Sequence, residues 1–148
     1  MQQAGEPVHR EGFWLVGRQA KASNDDPGPI GALWGEHFER PFKDLVEGRV
    51  SDDIYSVYCE YEGDYTKPYT VFLGYRVEVD ATTPPGLTRR FVPAGRFALR
   101  VADGPIPDAL MEAWAAIWAS DLDRTYSADY EVHPAAGGSP VNIFVGVR

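Results

Sequence analysis

The chain has 148 residues, a formal net charge of -8, and 14 Lys and Arg residues that are scattered along the sequence. This length predicts a single domain, and the dispersed basic residues argue against direct nucleic-acid binding, which needs clustered positive charge. The single cysteine, Cys59, excludes an internal disulfide, and no apolar run approaches the roughly 20 residues of a membrane helix, so we expect a cytoplasmic protein that does not insert into membranes.

The first half of the chain predicts a strand, a helix and two more strands after a flexible N-terminal tail at residues 1–12. The first strand is predicted at residues 13–22, where a cluster of Asn, Asp, Pro and Gly ends it. Apolar residues at spacings of three and four then predict a helix from Ile30 to about Leu45, although Pro41 should end or kink it. Two runs rich in aromatic and β-branched residues predict the next strands: 54–62 and 69–79.

The second half repeats this order after a Pro-Pro-Gly break at residues 84–86. Its predicted elements are a strand, a helix and two strands: 88–102, 106–122, 129–133 and 141–147. Two short echoes support a duplication, because VFLGYR is similar to IFVGVR and VGRQAKA is similar to AGRFALR. The sequence therefore predicts two related βαββ halves within a single domain at 13–148: about 13–83 and 87–148.

This order fits an α+β architecture in which an antiparallel sheet carries both helices on one face. A gap between the helices would form a cleft at a pseudo-two-fold seam, and clefts of this kind are common ligand sites. The helices would line that cleft with Trp34, Phe38, Trp114 and Trp118. Aromatic residues make up 13% of the chain, more than a domain of this size needs to close its core, and this excess also favours a ligand pocket.

Six segments carry a family resemblance: LWGEHF, YSVYCEYEGDYTKPYTVFLGYRVEV, VPAGRFALRVADG, IWASDL, DYEVHP and VNIFVGVR. Together, from about Phe13 to Arg148, they resemble the GyrI-like or AraC-type effector-binding domain of the SOUL-like superfamily. The resemblance implies a sheet curved into a half-barrel that binds bulky, lipophilic, often cationic compounds, as in drug-sensing transcription regulators. Because 12 residues precede Phe13, we expect a stand-alone effector-binding protein without a DNA-binding module.

The strand DYEVH holds the most informative candidate residue, Glu131. Alternation places Asp129, Glu131 and His133 on one face of this strand and Tyr130 and Val132 on the other. From alternation alone, Glu131 is either a surface carboxylate or a cavity residue. The resemblance favours the cavity, since a glutamate on the family's next-to-last strand meets the positive charge of the ligand.

The resemblance also carries over a set of ligand-binding aromatic residues, one or two on each matching element: Trp34, Tyr58, Tyr61, Tyr69, Trp114, Trp118 and Phe144. Tyr58 and Tyr61 have opposite parity along one strand, so they cannot both face the cleft unless a bulge intervenes. The three histidines are isolated in the sequence and show no metal-ligand spacing, so we expect neither a metal nor a cofactor.

Three functions are compatible with these observations. The first is binding of a lipophilic, cationic small molecule, in which the ligand supplies the charge that a buried Glu131 lacks. The second, which the resemblance implies, is hydrolysis of reactive, DNA-alkylating natural products, with Glu131 and a pocket Tyr or Trp as the catalytic pair. The third is binding to a protein partner such as a topoisomerase, for which the charge of -8 would mimic nucleic acid.

Overall fold

Alternating side chains build a β-rich fold in the computed structural model, which describes residues 7–148. Its strands are β1 Val8–Arg10, β2 Phe13–Ala22, β3 Ile54–Cys59, β4 Tyr69–Val77, β5 Thr88–Val92, β6 Gly95–Ala102, β7 Arg124–His133 and β8 Val141–Val147. Its α-helices are α1 Gly28–Glu39 and α2 Asp108–Ala119.

Within these residues the strands form one antiparallel sheet in the order β1-β6-β8-β7-β3-β4-β2-β5. Two βαββ units, β2-α1-β3-β4 and β6-α2-β7-β8, meet at its centre, where β3 pairs with β7 and Ser56 lies opposite Glu131. The two edge strands lie outside these units. Strand β5 pairs with β2, the first strand of one unit, and β1 pairs with β6, the first strand of the other. The predicted duplicated α+β fold is confirmed by this arrangement.

Aromatic contacts between strands that are not neighbours show that the sheet is curled. Phe13 on β2 lies 5.2 Å from Tyr130 on β7, measured between ring centroids, although β3 and β4 separate these strands in the sheet. Tyr130 is fully buried and also contacts Phe97 at 5.3 Å and Phe144 at 4.8 Å. The face without helices therefore encloses its own aromatic core, and the predicted half-barrel is confirmed.

Both helices pack on the opposite face of the sheet. Leu33 of α1 contacts a cluster that includes Val71 and Leu73 of β4, and Ile117 of α2 contacts one that includes Ile143 and Val145 of β8. The helices thus cover the two outer parts of this face. The central strands β3 and β7 lie between them, and they form the floor of the space between the helices.

Prolines explain two differences between the predicted and the observed elements. The first helix ends at Glu39, ahead of Pro41, and the rest of the predicted span contains a short 3₁₀ turn at Lys43–Leu45. The predicted strand 88–102 divides into β5 and β6 at Pro93-Ala94, because proline has no N–H to donate to a ladder. Two other bounds also differ. Helix α2 spans Asp108–Ala119 within the predicted 106–122, and β7 begins at Arg124, five residues before the predicted start.

Part of the predicted N-terminal tail is a strand. Residues Val8–Arg10 pair with β6, and Val8 lies opposite Phe97. A strand of three residues is too short to show an alternation, and its partner lies far away in the sequence, so local pattern gives no signal for it. Residues 1–6 of the predicted tail lie outside the described residues.

Candidate functional site

A cavity of about 480 Å³ opens between α1 and α2 above the centre of the sheet. Its volume lies in the range of roughly 300 to 1,000 Å³ that is typical of small-molecule pockets. The lining is mainly aromatic and aliphatic: Asn24, Pro27, Ile30, Gly31, Tyr58, Tyr61, Tyr65, Tyr69, Leu110, Met111, Trp114, Trp118, Arg124 and Glu131. Such a site suits a bulky apolar molecule, with a few polar groups to orient it.

Glu131 is the buried acid of this cavity, with 1% of its surface exposed. Its Oε2 accepts hydrogen bonds from the Tyr58 hydroxyl at 2.9 Å and from Trp114 Nε1 at 2.7 Å, and its Oε1 lies 2.7 Å from His133 Nε2. These hydrogen bonds offset the cost of removing a carboxylate from water. Among residues 7–148 no Lys or Arg forms an ion pair with Glu131, so its negative charge is hydrogen-bonded without being neutralised by a permanent cation.

The tyrosines around Glu131 are held in their neutral form. Burial, and then the negative charge of Glu131, raise the pKa of Tyr58 well above the ordinary value for tyrosine. The same two causes, in the same order, raise the pKa of Tyr69. Tyr58 therefore acts as a hydrogen-bond donor to Glu131, and no phenolate competes with the carboxylate for a bound cation.

A second buried acid, Asp129, is neutralised within the protein. It is fully buried, and Arg124 Nη2 lies 2.7 Å from its Oδ2. The Tyr61 hydroxyl donates to the same oxygen, and the backbone N–H of Gly146 donates to Oδ1 at 2.7 Å. The ion pair makes this part of the wall electrically neutral, so Glu131 gives the cavity its negative charge.

One backbone conformation brings Tyr58 and Tyr61 to the same cavity. Strand β3 ends at Cys59, and Glu60 adopts a left-handed conformation with φ of 53°. This residue interrupts the alternation, so Tyr61 returns to the face that Tyr58 occupies. Glu60 itself points away from the cavity and accepts hydrogen bonds from Thr70 and Arg90. The sequence required an interruption of the alternation between Tyr58 and Tyr61, and Glu60, just after the strand, provides it.

The cavity brings together most of the residues that the sequence proposed for the site: Glu131, Tyr58, Tyr61, Tyr69, Trp114 and Trp118. Trp34 lies outside its lining and packs against His133, at 4.8 Å between ring centroids. Phe144 lies on the other face of the sheet, where it stacks on Tyr130 and lies beneath the Arg10 guanidinium at 4.4 Å. Its neighbours on β8 pack on the helix side, so alternation directs Phe144 into the half-barrel core.

Phe38, the remaining helix residue that was expected in the cleft, is 69% exposed on α1. It contacts Trp34 at 5.9 Å and does not line the cavity. The α1 wall is instead formed by the first turn of the helix, at Ile30 and Gly31. The cavity therefore lies closer to the N-terminal end of α1 than the spacing of its aromatic residues suggested.

The cavity also contains residues that the sequence did not indicate. Tyr65, in the loop between β3 and β4, is parallel to Trp118 within 10° at a centroid distance of 6.0 Å. Its backbone oxygen accepts a hydrogen bond from Asn24 Nδ2 at 2.9 Å, and the Tyr69 hydroxyl donates to Asn24 Oδ1 at 2.6 Å. A loop has no periodicity, so its side chains cannot be assigned to a face from sequence. Arg124 was missed because the ladder between β7 and β8 is irregular between Arg124 and Asp129.

A metal site, a membrane-spanning helix and a cysteine nucleophile each place requirements on the described part of the chain. Across residues 7–148, no group of three or more His, Cys, Asp or Glu side chains could hold a metal ion. In the same range, no helix is long and apolar enough to cross a membrane. Cys59 is buried, and this burial raises the pKa of its thiol to about 11, so the thiolate needed of a nucleophile is disfavoured.

Comparison with known proteins gives the family and agrees with this fold. A family model described as Cass2, integron-associated effector binding protein, matches residues 8–147. No curated protein sequence matches the chain. The integron cassette protein VCH_CASS2, from the mobile metagenome of Vibrio cholerae, has the same fold with a TM-score of 0.78, 23% identity, and coverage of 99% of this chain and 97% of that one. SAV2435 bound to tetraphenylphosphonium has a TM-score of 0.74 at 9% identity, with coverage of 99% and 94%.

Proposed function

Because the chain belongs to the Cass2 family of integron-associated effector binding proteins, we propose that its effectors are bulky, lipophilic cations that bind in the cavity between α1 and α2. The observation that carries this proposal is the charge of Glu131. This carboxylate is 1% exposed in an aromatic cavity, and no Lys or Arg among residues 7–148 pairs with it. A cationic guest would supply the missing positive charge.

Electrostatics favours such a guest in two ways. A positive charge close to Glu131 gains Coulomb energy in a site of low dielectric constant, where water screens little. Cation–π contact with the surrounding rings adds roughly 0.5 to 2 kcal/mol for each ring. Tyr58 and Trp114 both donate hydrogen bonds to Glu131 and lie at 76° to each other, so they offer ring surfaces in two orientations beside the carboxylate.

The proposed ligand contacts are the residues that line the cavity around Glu131: Tyr58, Tyr61, Tyr69, Trp114 and Trp118. Trp34 would not contact the ligand but would pack against His133, and Phe144 would pack in the core of the half-barrel. Tetraphenylphosphonium, the molecule bound to SAV2435, is a cation of the proposed class, and this supports its use as a probe. Hydrogen bonds specific to one guest are not needed, so the site would accept several lipophilic cations.

Titration with tetraphenylphosphonium, followed by tryptophan fluorescence and by calorimetry, tests this proposal. Trp114 and Trp118 line the cavity, so their emission should report occupancy. We expect Glu131→Gln to weaken binding at least tenfold, or about 1.4 kcal/mol, because Gln keeps the shape without the charge. Glu112→Gln is the matched control, since Glu112 is exposed on α2 and its loss changes the net charge equally.

The results would separate the possible explanations. Equal affinity of wild type and Glu131→Gln would refute the pairing of charge at the base of the cavity. Equal losses in Glu131→Gln and Glu112→Gln would assign the effect to the overall negative charge. If wild type binds no lipophilic cation at micromolar to millimolar concentrations, the proposed function is wrong.

A hydrolase acting on strained, electrophilic compounds is a second candidate, favoured by the contact between Tyr58 and Glu131. The hydroxyl and the carboxylate are 2.9 Å apart, which is the distance needed for proton transfer. In this reaction Glu131 would take a proton from a water molecule as the water oxygen bonds to a ring carbon and the ring C–O bond breaks. Tyr58, which its raised pKa keeps protonated, would give its proton to the ring oxygen and recover one from Glu131. Mass spectrometry of an epoxide incubated with the protein checks this: turnover that is lost in Glu131→Gln while binding persists would favour the enzyme.

A further inference from the structure

We infer that protonated His133 competes with a guest cation for the negative charge of Glu131. The charge of His133 then decides whether the cavity accepts positively charged or neutral molecules. This inference rests on the proposed function and adds a specificity-determining residue to it. Neutral His133 leaves the negative charge of Glu131 available to a guest. Protonated His133 supplies that positive charge from within the protein.

The geometry fixes which nitrogen decides the charge. His133 Nε2 lies 2.7 Å from Glu131 Oε1, and an ionised carboxylate can only accept a hydrogen bond. Nε2 therefore carries a hydrogen in both charge states, and the proton that distinguishes them is on Nδ1. Among residues 7–148 Nδ1 forms no hydrogen bond, and the His133 side chain is 12% exposed. Water can thus deliver and remove the deciding proton.

The elements packed against His133 add no second partner for its charge. On β3, Ile54 lies opposite His133, and Asp53 before it accepts a hydrogen bond from the backbone N–H of Ala135 at 3.1 Å. On the same strand, Tyr58 donates to the other oxygen of Glu131 and remains neutral. Glu131 is therefore the acid that responds to the His133 proton.

Helix α1 covers the ring of His133 with Trp34, whose plane lies at 61° to it. The next titratable group of the helix is His37, whose ring is 6.0 Å from Trp34. Burial, and then the positive charge of Arg18, lower the pKa of His37, which favours its neutral form. Arg18 itself pairs with Glu36 at 3.6 Å.

The charge of the cavity follows from these contacts. Asp129 and Arg124 cancel each other, so Glu131 and His133 sum to one negative charge when His133 is neutral and to zero when it is protonated. A cation binds the form without the Nδ1 proton and so must release that proton. Its affinity is therefore highest where His133 is neutral and falls as lower pH adds the Nδ1 proton. A neutral guest of the same shape shows no such dependence.

Two probes of similar shape test this inference: tetraphenylphosphonium, whose charge does not depend on pH, and neutral triphenylphosphine oxide. For wild type we expect the dissociation constant of tetraphenylphosphonium to rise about tenfold from pH 8 to pH 5.5, and that of triphenylphosphine oxide to stay constant. Calorimetry in two buffers of different ionisation enthalpy should show proton release during tetraphenylphosphonium binding below about pH 6.5.

His133→Gln is the decisive variant, because the amide nitrogen of Gln can replace Nε2 as the donor to Glu131 without titrating. It should bind tetraphenylphosphonium with equal affinity at pH 5.5 and 8. His9→Gln is the matched control, since His9 is 60% exposed beside Glu11 and lies on β1. It should keep the pH dependence of wild type.

The inference and the proposed function fail in different ways. Tetraphenylphosphonium binding that is independent of pH, with no proton released, would overturn the role of His133 and leave the proposed function standing. A pH dependence that persists in His133→Gln would overturn it too, because the titrating group would then be another residue. Absence of tetraphenylphosphonium binding at every pH would overturn both. If His133→Gln fails to fold, NMR of the His133 ring with and without tetraphenylphosphonium identifies the proton donor: unchanged ring signals alongside proton release would overturn its role.

Discussion

Replacing Arg124 with Met leaves the buried carboxylate of Asp129 without its cation. This substitution tests how much the ion pair contributes to the stability of a strand that also buries Glu131. Asp129 is fully buried, and 4% of the Arg124 side chain is exposed. Breaking a buried ion pair by removing one partner costs about 3 to 5 kcal/mol. Asp129 keeps two other hydrogen bonds, from Tyr61 and from the backbone of Gly146, so we expect the lower end of that range.

Urea denaturation followed by circular dichroism measures this loss. With a slope of about 1 to 3 kcal/mol per M, a loss of 3 kcal/mol lowers the midpoint by at least about 1 M. Asp129→Asn, added to Arg124→Met, removes the unpaired charge and should restore at least about 1 kcal/mol. The control is Lys21→Met, which breaks an exposed pair with Glu62 and should cost less than about 1 kcal/mol.

Two results would refute this reasoning. The first is a loss for Arg124→Met no larger than that for Lys21→Met, which would mean that water or a local rearrangement already screens Asp129. The second is a double variant that is no more stable than Arg124→Met, which would assign the loss to contacts of the guanidinium other than the one with Asp129. In that case the contact of the guanidinium with the Tyr126 ring, at 4.4 Å, would be the better explanation.

Asn24→Ala should accelerate dissociation of tetraphenylphosphonium, because the Asn24 amide holds the Tyr65 loop over the cavity. Stopped-flow fluorescence measures the dissociation rate, and an unchanged rate would contradict this prediction. Gly17→Ala should prevent folding or cost more than about 3 kcal/mol, since its Cβ would lie 2.0 Å from the Leu73 carbonyl oxygen. Gly35→Ala, which meets no atom within 4 Å inside α1, should instead add about 0.5 to 1 kcal/mol. Thermal unfolding of the two glycine variants checks the opposite signs.

Most of the fold could be predicted from the sequence because its signals are local. The bounds of β2 and β8 coincide with the predicted strands, and Pro41 indicated the end of α1. Strand β1 could not be predicted, since its three residues are defined by pairing with β6, far away in the chain. The division at Pro93 could have been predicted, because a proline inside a predicted strand is a known interruption.

The site was less predictable, because both faces of this sheet are buried. Alternation correctly placed Asp129, Glu131 and His133 on one face of β7, but it does not show which face the helices cover. Phe144 illustrates the ambiguity: it is as apolar as its neighbours on β8, and its burial in the half-barrel follows from the curl of the sheet. The Tyr65 loop could not be assigned at all, since its position depends on a hydrogen bond to Asn24.

The two acids of β7 show how one strand can separate stability from binding. Asp129 receives a permanent cation, a hydroxyl and a backbone N–H, so its charge is satisfied before any guest arrives. Glu131 receives neutral donors from Tyr58 and Trp114, together with a contact from His133 Nε2. A permanent cation at the second position would remove the attraction for a cationic guest. Without the charged partner of Asp129, the core would contain an unpaired ion. In the proposed function, binding of a cation therefore depends on donors around Glu131 that carry no permanent charge, and the irregular ladder that brings Arg124 to Asp129 keeps the arginine with the other acid.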